Sequence, residues 1–202
     1  MGVGGNPDLK DEEGWTADAG FEGEAGKKWI LFYDLGYYVN QVNNWILWIP
    51  QSDGIWRVTN RDRVLAQGTE VNMGVRRNGR KMGVEVRAMY NYQFTETDEG
   101  YQLIYTPQHR ARINLEARWL DYYLRYDHSY TGTRYINPEN TIWMPDYFLA
   151  DLRIGWKKKF WKKHRIGMEG GVLNLFDEPY QNIANRPMPG RNYFLKFRYE
   201  WL

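Results

Sequence analysis

The sequence predicts an all-β chain: an antiparallel, up-and-down transmembrane β-barrel segment of about nine strands that does not close into a complete barrel. Three observations predict it. Nearly every stretch alternates apolar and polar residues with the period of two that puts successive side chains on opposite faces of a strand. The connections between these stretches alternate short and long, as the turns and loops of outer-membrane barrels do. Aromatic residues gather at strand ends, and the last stretch, Asn192 to Leu202, is the clearest case. There Tyr193, Leu195, Phe197, Tyr199 and Trp201 share one side, while Lys196, Arg198 and Glu200 share the other, with Phe194 as the apolar exception. An apolar face with aromatics at both ends suits a strand whose outer side meets hydrocarbon and whose belts sit at the interfaces.

The elements follow in order. Residues 1–12, rich in Gly, Pro and Asp, read as a loop. The first strand alternates Trp15, Ala17, Ala19 and Phe21 against Thr16, Asp18, Gly20 and Glu22, and a short turn spans Ala25 to Lys28. The second carries Trp29, Leu31, Tyr33, Leu35, Tyr37 and Val39 on one face and runs on towards Trp48. Gln51 to Asn60 reads as a polar loop. Thr69, Val71, Met73 and Val75 line the third strand, which ends at Arg77-Asn78-Gly79-Arg80, where Asn-Gly signals a tight hairpin turn. The fourth sets Met82, Val84, Val86, Ala88, Tyr90, Tyr92 and Phe94 against Glu85, Arg87, Asn91, Gln93 and Thr95. A longer loop runs from Glu96 to Gln108.

The second half repeats the arrangement. Ala111, Ile113, Leu115, Ala117 and Trp119 alternate with Arg112, Asn114, Glu116 and Arg118, and a tight turn falls at Leu120-Asp121. Tyr122, Leu124, Tyr126, His128 and Tyr130 then oppose Arg125, Asp127 and Ser129. After the loop Gly132 to Pro145, Phe148, Ala150, Leu152, Ile154 and Trp156 oppose Asp151, Arg153 and Gly155. A basic turn, Lys157 to His164, leads to Ile166, Met168, Gly170, Val172 and Asn174, and a last long loop, Asp177 to Gly190, reaches the closing strand. A soluble sandwich or small barrel also alternates along its strands. Connection lengths, aromatic strand ends and the aromatic final strand separate the membrane reading from it. The inward faces then carry Arg112, Glu116, Arg118, Asp151, Arg153, Lys196, Arg198 and Glu200, a mixed-sign ladder suited to a hydrated lumen.

Composition excludes several classes. With 202 residues the chain reads as one domain over 1–202. No run approaches the length of a transmembrane helix. A net charge of +2 does not argue for nucleic acid. No cysteine is present, and His109, His128 and His164 are scattered, so no cofactor or metal site is expected. Ser129 and His128 are adjacent and point to opposite faces of a strand, so no nucleophile–base pair forms, and the chain is not expected to be an enzyme. Glu22/Glu24 and Asp151/Arg153 share faces as structural charges, and Gly4-Gly5 and Gly170-Gly171 lack phosphate-loop spacing.

A series of phrases carries a resemblance. Asn6-Pro7-Asp8-Leu9-Lys10, Gly68-Thr69-Glu70, Tyr105-Thr106-Pro107 with His109-Arg110, Gly132-Thr133-Arg134-Tyr135, Asn174-Leu175-Phe176-Asp177 with Tyr180, and Pro189-Gly190-Arg191 before the aromatic end strand occur in that order. Together they resemble the C-terminal part of TonB-dependent outer-membrane receptors. The resemblance covers nearly the whole chain and implies part of a 22-stranded, plugged transporter in the Gram-negative cell outer membrane. Such receptors take up scarce ligands such as siderophores, cobalamin or glycans, with energy relayed by TonB. The implied partners are the remainder of the barrel and its plug, outer-membrane lipids, and TonB acting through that plug.

Several departures qualify the match. The sequence shows no leader, TonB-gripped segment or plug, and Leu202 follows the aromatic on which the family usually stops. Nine up-and-down strands would also close on a parallel pair, whereas bacterial single-chain barrels are even-stranded. We therefore expect a C-terminal segment, from a split or truncated gene or a deliberately shortened chain, inactive alone. Ligand contacts are expected on the long loops, with Trp45, Trp56, Trp143, Tyr180 and Arg186 as candidates, each of which also suits interface anchoring or loop packing. The basic turns Arg76 to Lys81 and Lys157 to Lys163 fall at the short-turn end, as solvated turns or as contacts to anionic headgroups. An autonomous small outer-membrane barrel with a structural or adhesion role, or a soluble β-sheet binding module, are the alternatives.

Overall fold

The computed structural model describes residues 3–50, 53–160 and 163–201. Nine long strands run up and down in chain order: β1 (Glu13–Gly26), β2 (Ile30–Pro50), β3 (Trp56–Asn78), β4 (Met82–Thr97), β5 (His109–Trp119), β6 (Tyr122–Thr131), β7 (Tyr147–Phe160), β8 (His164–Leu173) and β9 (Asn192–Trp201). Each pairs antiparallel with its chain neighbours, and no helix occurs among the described residues. The sheet does not close: β1 and β9 are its two edges. The strand count and the open architecture match the sequence-based expectation.

The register assigns the faces. Phe197 pairs with Met168, Met168 with Trp156, Trp156 with Tyr122, and Tyr122 with Trp119, so the apolar positions of β9 through β5 form one continuous surface. Further round, Tyr90 meets Val71, which meets Leu35, which meets Phe21. This face is bare: Phe197, Tyr193 and Trp201 are each 72% exposed. Only a few residues qualify as buried core, among them Val64, Ala66, Phe32 and Ala150. A soluble domain that left such a face in water would forgo the apolar burial that stabilises it.

The opposite face is polar and densely paired. Arg153 bridges Asp127 at 2.7 Å and Asp151 at 2.8 Å, and Arg125 reaches Glu116 at 2.8 Å. Arg165 meets Glu200 at 2.8 Å, and Arg76 meets Glu24 at 2.6 Å. The Phe194 exception has a local cause. It lies directly opposite Gly171, where an added Cβ would sit 2.7 Å from the Phe194 ring and 2.8 Å from the Leu152 carbonyl. The ring covers the backbone that glycine leaves bare, and the Tyr123 ring lies against Gly155 in the same way.

Four expectations are corrected. The polar loop predicted over 51–60 is largely strand, because Trp56 opens β3 and its first residues pair with the last of β2. This hairpin continues for six pairs, Trp45–Arg61 to Pro50–Trp56, beyond the last pairs that β2 makes with β1 and β3 makes with β4. The predicted loop over residues 1–12 contributes to holding it: Val3–Gly4 pairs parallel with Trp56–Arg57, Asn6 Nδ2 donates to the Val58 carbonyl, and Lys10 N donates to Asn60 Oδ1. Gln51 and Ser52 lie outside the described residues. The Asn-Gly turn is also displaced. Asn78 is still paired with Gly83, Gly79 N donates to the Met82 carbonyl, and neither Asn78 nor Gly79 has a positive φ. The register that sets Val75 against Val86 and Arg76 against Glu85 fixes this end instead of the turn dipeptide. Finally, β1 and β7 extend further than predicted, to Gly26 and Phe160.

Candidate functional site

The long connections all emerge at one end of the sheet, where they lock onto one another. Tyr105, held at φ 57°, donates its backbone N–H to the Tyr135 carbonyl at 2.7 Å, and its ring stacks on Trp56 at 6.3 Å. Gln102 N donates to Asn140 Oδ1 at 2.6 Å, and Asn140 Nδ2 donates back to the Gln102 carbonyl at 3.0 Å. These contacts fasten the 98–108 loop to the β2–β3 hairpin on one side and to the 132–146 loop on the other.

The 132–146 loop folds into a small ribbon, Arg134–Tyr135 against Trp143–Met144, and the last loop into another, Gln181–Ile183 against Arg186–Pro187. Arg134 joins the two. It is 4% exposed; Nη1 donates to the Gly132 carbonyl and Nη2 to those of Pro145 and Gln181, while its Nε has no partner. Its guanidinium lies 5.0 Å over the Tyr147 ring, and burial holds its pKa below the usual arginine value. Tyr147 donates its hydroxyl to Asn182 Oδ1 at 2.8 Å and packs on Tyr180 at 5.0 Å. Burial also raises the Tyr180 phenol above its ordinary pKa.

The Asn174-to-Asp177 phrase closes the last loop. Asn174, at φ 51°, accepts the Glu178 N–H on Oδ1 and donates Nδ2 to the Glu178 carbonyl, both at 2.8 Å. Asp177 Oδ1 accepts the Arg191 N–H at 2.7 Å, where the chain turns into β9. Each phrase of the series that contributes to this end therefore fixes a backbone path.

A cavity of about 570 Å³ opens between the two ribbons, lined by Arg134, Trp143, Tyr147, Tyr180 and Gln181 among others. Trp143, 62% exposed, also borders a second cavity of about 370 Å³ with Arg134, Gln102 and His109. Of the five predicted ligand residues, the structure brings Trp143 and Tyr180 together here. Trp45 and Trp56 are not on loops: they stand in β2 and at the start of β3, because the hairpin strands outrun their neighbours. Arg186 is exposed in the second ribbon and does not line either cavity. Sequence reasoning missed Arg134 and Tyr147 as site residues. Arg134 sits inside a phrase that was noted, and its one-charge burial is invisible without the fold.

Chemically the loop end offers aromatic faces, backbone carbonyls and one buried cation, which together suit binding. No group of His, Asp and Glu among the described residues is placed to hold a metal ion. Ser129 and His128 face opposite sides, as their pairings with Leu149 and Ala150 require.

The model of the family described as TonB dependent receptor-like, beta-barrel matches residues 1–175. The vitamin B12 transporter BtuB of Vibrio vulnificus (strain CMCP6) is 24% identical over 211 residues, covering 97% of this chain and 31% of that protein. Among solved structures, the copper transporter OprC superposes with a TM-score of 0.76 at 18% identity, over 97% of this chain and 32% of that one. The siderophore receptor PirA from Acinetobacter baumannii gives a TM-score of 0.69 at 17% identity, over 99% of this chain and 33% of that one. These two structures show likeness of fold. The chain spans about a third of the length of each of these relatives, which are transporters and receptors by name. Its open sheet of up-and-down strands and the family match over most of its length lead to one conclusion: the chain belongs to the TonB-dependent receptor β-barrel family.

Proposed function

We propose that this chain is a stretch of wall in an outer-membrane receptor barrel that takes up a scarce ligand with energy relayed by TonB. One observation carries the reading: a sheet bare and aromatic on one face, charged and internally paired on the other, and open at both edges. From His109 to Trp119 the apolar face of β5 spans ten steps, or roughly 25 Å once tilted by about 40°, the height of an outer-membrane barrel's apolar band. Each bare edge offers backbone groups that cost several kcal/mol apiece in hydrocarbon, so both edges take further strands. The chain acts with the rest of the barrel and its plug, not alone.

The ligand meets the loop end, where Trp143 and Tyr180 present aromatic surface beside Arg134 and Tyr147. Family membership supports a cargo of the kind its relatives are named for: vitamin B12, copper or a siderophore. The reading needs no resident metal or cofactor.

The test is uptake by the source cell with and without the gene, offered labelled cobalamin, ferric siderophores, copper and glycans separately. The reading expects loss of one cargo on deletion, and weakened binding of that cargo by Trp143→Ala. It also expects this chain in the washed outer-membrane fraction. Recovery in the soluble fraction overturns it in favour of a soluble sheet module. Membrane recovery with every uptake unchanged overturns it in favour of a structural or adhesive barrel.

A further inference from the structure

The four short connections lie together at the end opposite the loops, and their charge is one-sided. Lys28, Arg80, Lys81 and Lys163 occupy these turns, with Arg77 and Lys158 on the strands beside them; Asp121 is the one acid among the described turn residues. None of these six cations makes an ion pair among the described residues. The contrast with the polar face is sharp, because Arg76, Arg87, Arg125, Arg153 and Arg165 there each have a carboxylate at 2.6–3.0 Å. The loop end instead concentrates acids, with Asp8, Asp11, Glu12, Asp98, Glu99 and Asp146. A chain of net charge +2 thus gathers a cluster of cations without carboxylate partners at this rim.

Two of these cations are also placed outward. Arg77 follows Val75 and Lys158 follows Trp156, so both belong to the apolar face. The Arg77 guanidinium lies 5.6 Å over the Trp29 ring, and Lys158 Nζ lies 5.8 Å over Phe160. Trp119 stacks on Tyr122 at 6.5 Å on the same band, and Trp201 stands there 72% exposed. Cations seated on an aromatic belt at the outer surface sit at the depth of lipid phosphates, with the rings at the glycerol level. Arginine and lysine N–H groups donate strongly to phosphate oxygens, and a headgroup with net negative charge adds long-range attraction.

We infer that the short-turn rim binds anionic glycerophospholipids of the facing leaflet in preference to zwitterionic ones. This rests on the membrane-barrel reading above. The basic turns are then a binding rim and not merely solvated connections. Each basic residue near such a surface contributes about fivefold in lipid affinity, reduced by screening as salt rises.

The experiment uses the full chain assembled with the strands that complete its barrel, in phosphatidylcholine bilayers containing phosphatidylglycerol. Bromine is placed on the acyl chains of one lipid or the other, and tryptophan quenching reads their relative binding. Phosphatidylglycerol is expected to be favoured at least threefold, and the preference to shrink between about 50 and 500 mM salt. Arg77→Gln, Arg80→Gln, Lys81→Gln and Lys158→Gln combined should abolish it, while Asp8→Asn with Asp11→Asn at the far rim should leave it unchanged. Equal quenching by both lipids, or a salt-independent preference, overturns the inference even if the combined variant fails to assemble. Displacement of the lipid by inorganic phosphate also overturns it, identifying a free-phosphate site. Absence of quenching by either lipid instead sinks the membrane reading beneath it.

Discussion

Two neighbouring residues on β9 carry the face assignment. Phe197 is 72% exposed on the apolar face, and Arg198 stands on the paired one, 3.9 Å from Glu200. Phe197→Arg should cost roughly 2–4 kcal/mol, as for a lipid-facing arginine near the bilayer midplane, whereas Arg198→Gln should be mild. Folding titrations of the assembled barrel in lipid measure both, and equal costs would contradict the assignment. Gly171 makes a second claim at this scale. Its bare backbone lies under the Phe194 ring, so Gly171→Val should overpack the β8–β9 seam and cost about 1–3 kcal/mol. The same titration checks it, with Gly5→Val as the comparison, since an added Cβ there meets nothing within 4 Å.

At the scale of elements, the last loop depends on Asn174, which is buried and bonded twice to Glu178. Asn174→Ala removes both bonds and should cost about 1–3 kcal/mol, read as earlier proteolysis within 174–191 and unchanged protection of β8. The β2–β3 tip has its own pH signature. Asp53 accepts the Ile55 N–H and then pairs with Arg57 at 2.8 Å, which lowers its carboxyl below the ordinary value of 3.8. That contribution is fully present above the ordinary value and fades as pH falls through the lowered one. The Ile55 amide resonance should therefore hold constant from neutral pH to about 5 and move only in stronger acid. Strand faces were legible in the sequence because an alternating stretch has only one way to separate its apolar side. The upper part of the hairpin was not. Trp45 to Ile49 and Trp56 to Arg61 lack clean alternation, and their pairing depends on each other and on Val3 to Lys10, which are distant in sequence. Of the predicted ligand residues, Trp143 and Tyr180 line one cavity between two ribbons that Arg134 ties together, a contact that no local pattern records.

For the whole molecule, we propose a sheet that is solvated by hydrocarbon on one side and by water on the other. Family membership follows from the family match and the open edges from the strand order. The two-solvent proposal is the physical core, because it explains why so many aromatics stand exposed. It also explains why the charges of the other face pair with each other across β5 to β9. The chain has no cysteine, so single cysteines report without background. The most direct measurement places one cysteine at a time from Tyr193 to Glu200 in the assembled, membrane-inserted barrel. Each variant is offered a bilayer-confined maleimide and a water-confined one. The account predicts strict alternation, with Tyr193, Leu195, Phe197 and Tyr199 labelled from the lipid and Phe194, Lys196, Arg198 and Glu200 from the water. Labelling of all eight positions by the water-confined reagent, with no period of two, would contradict it.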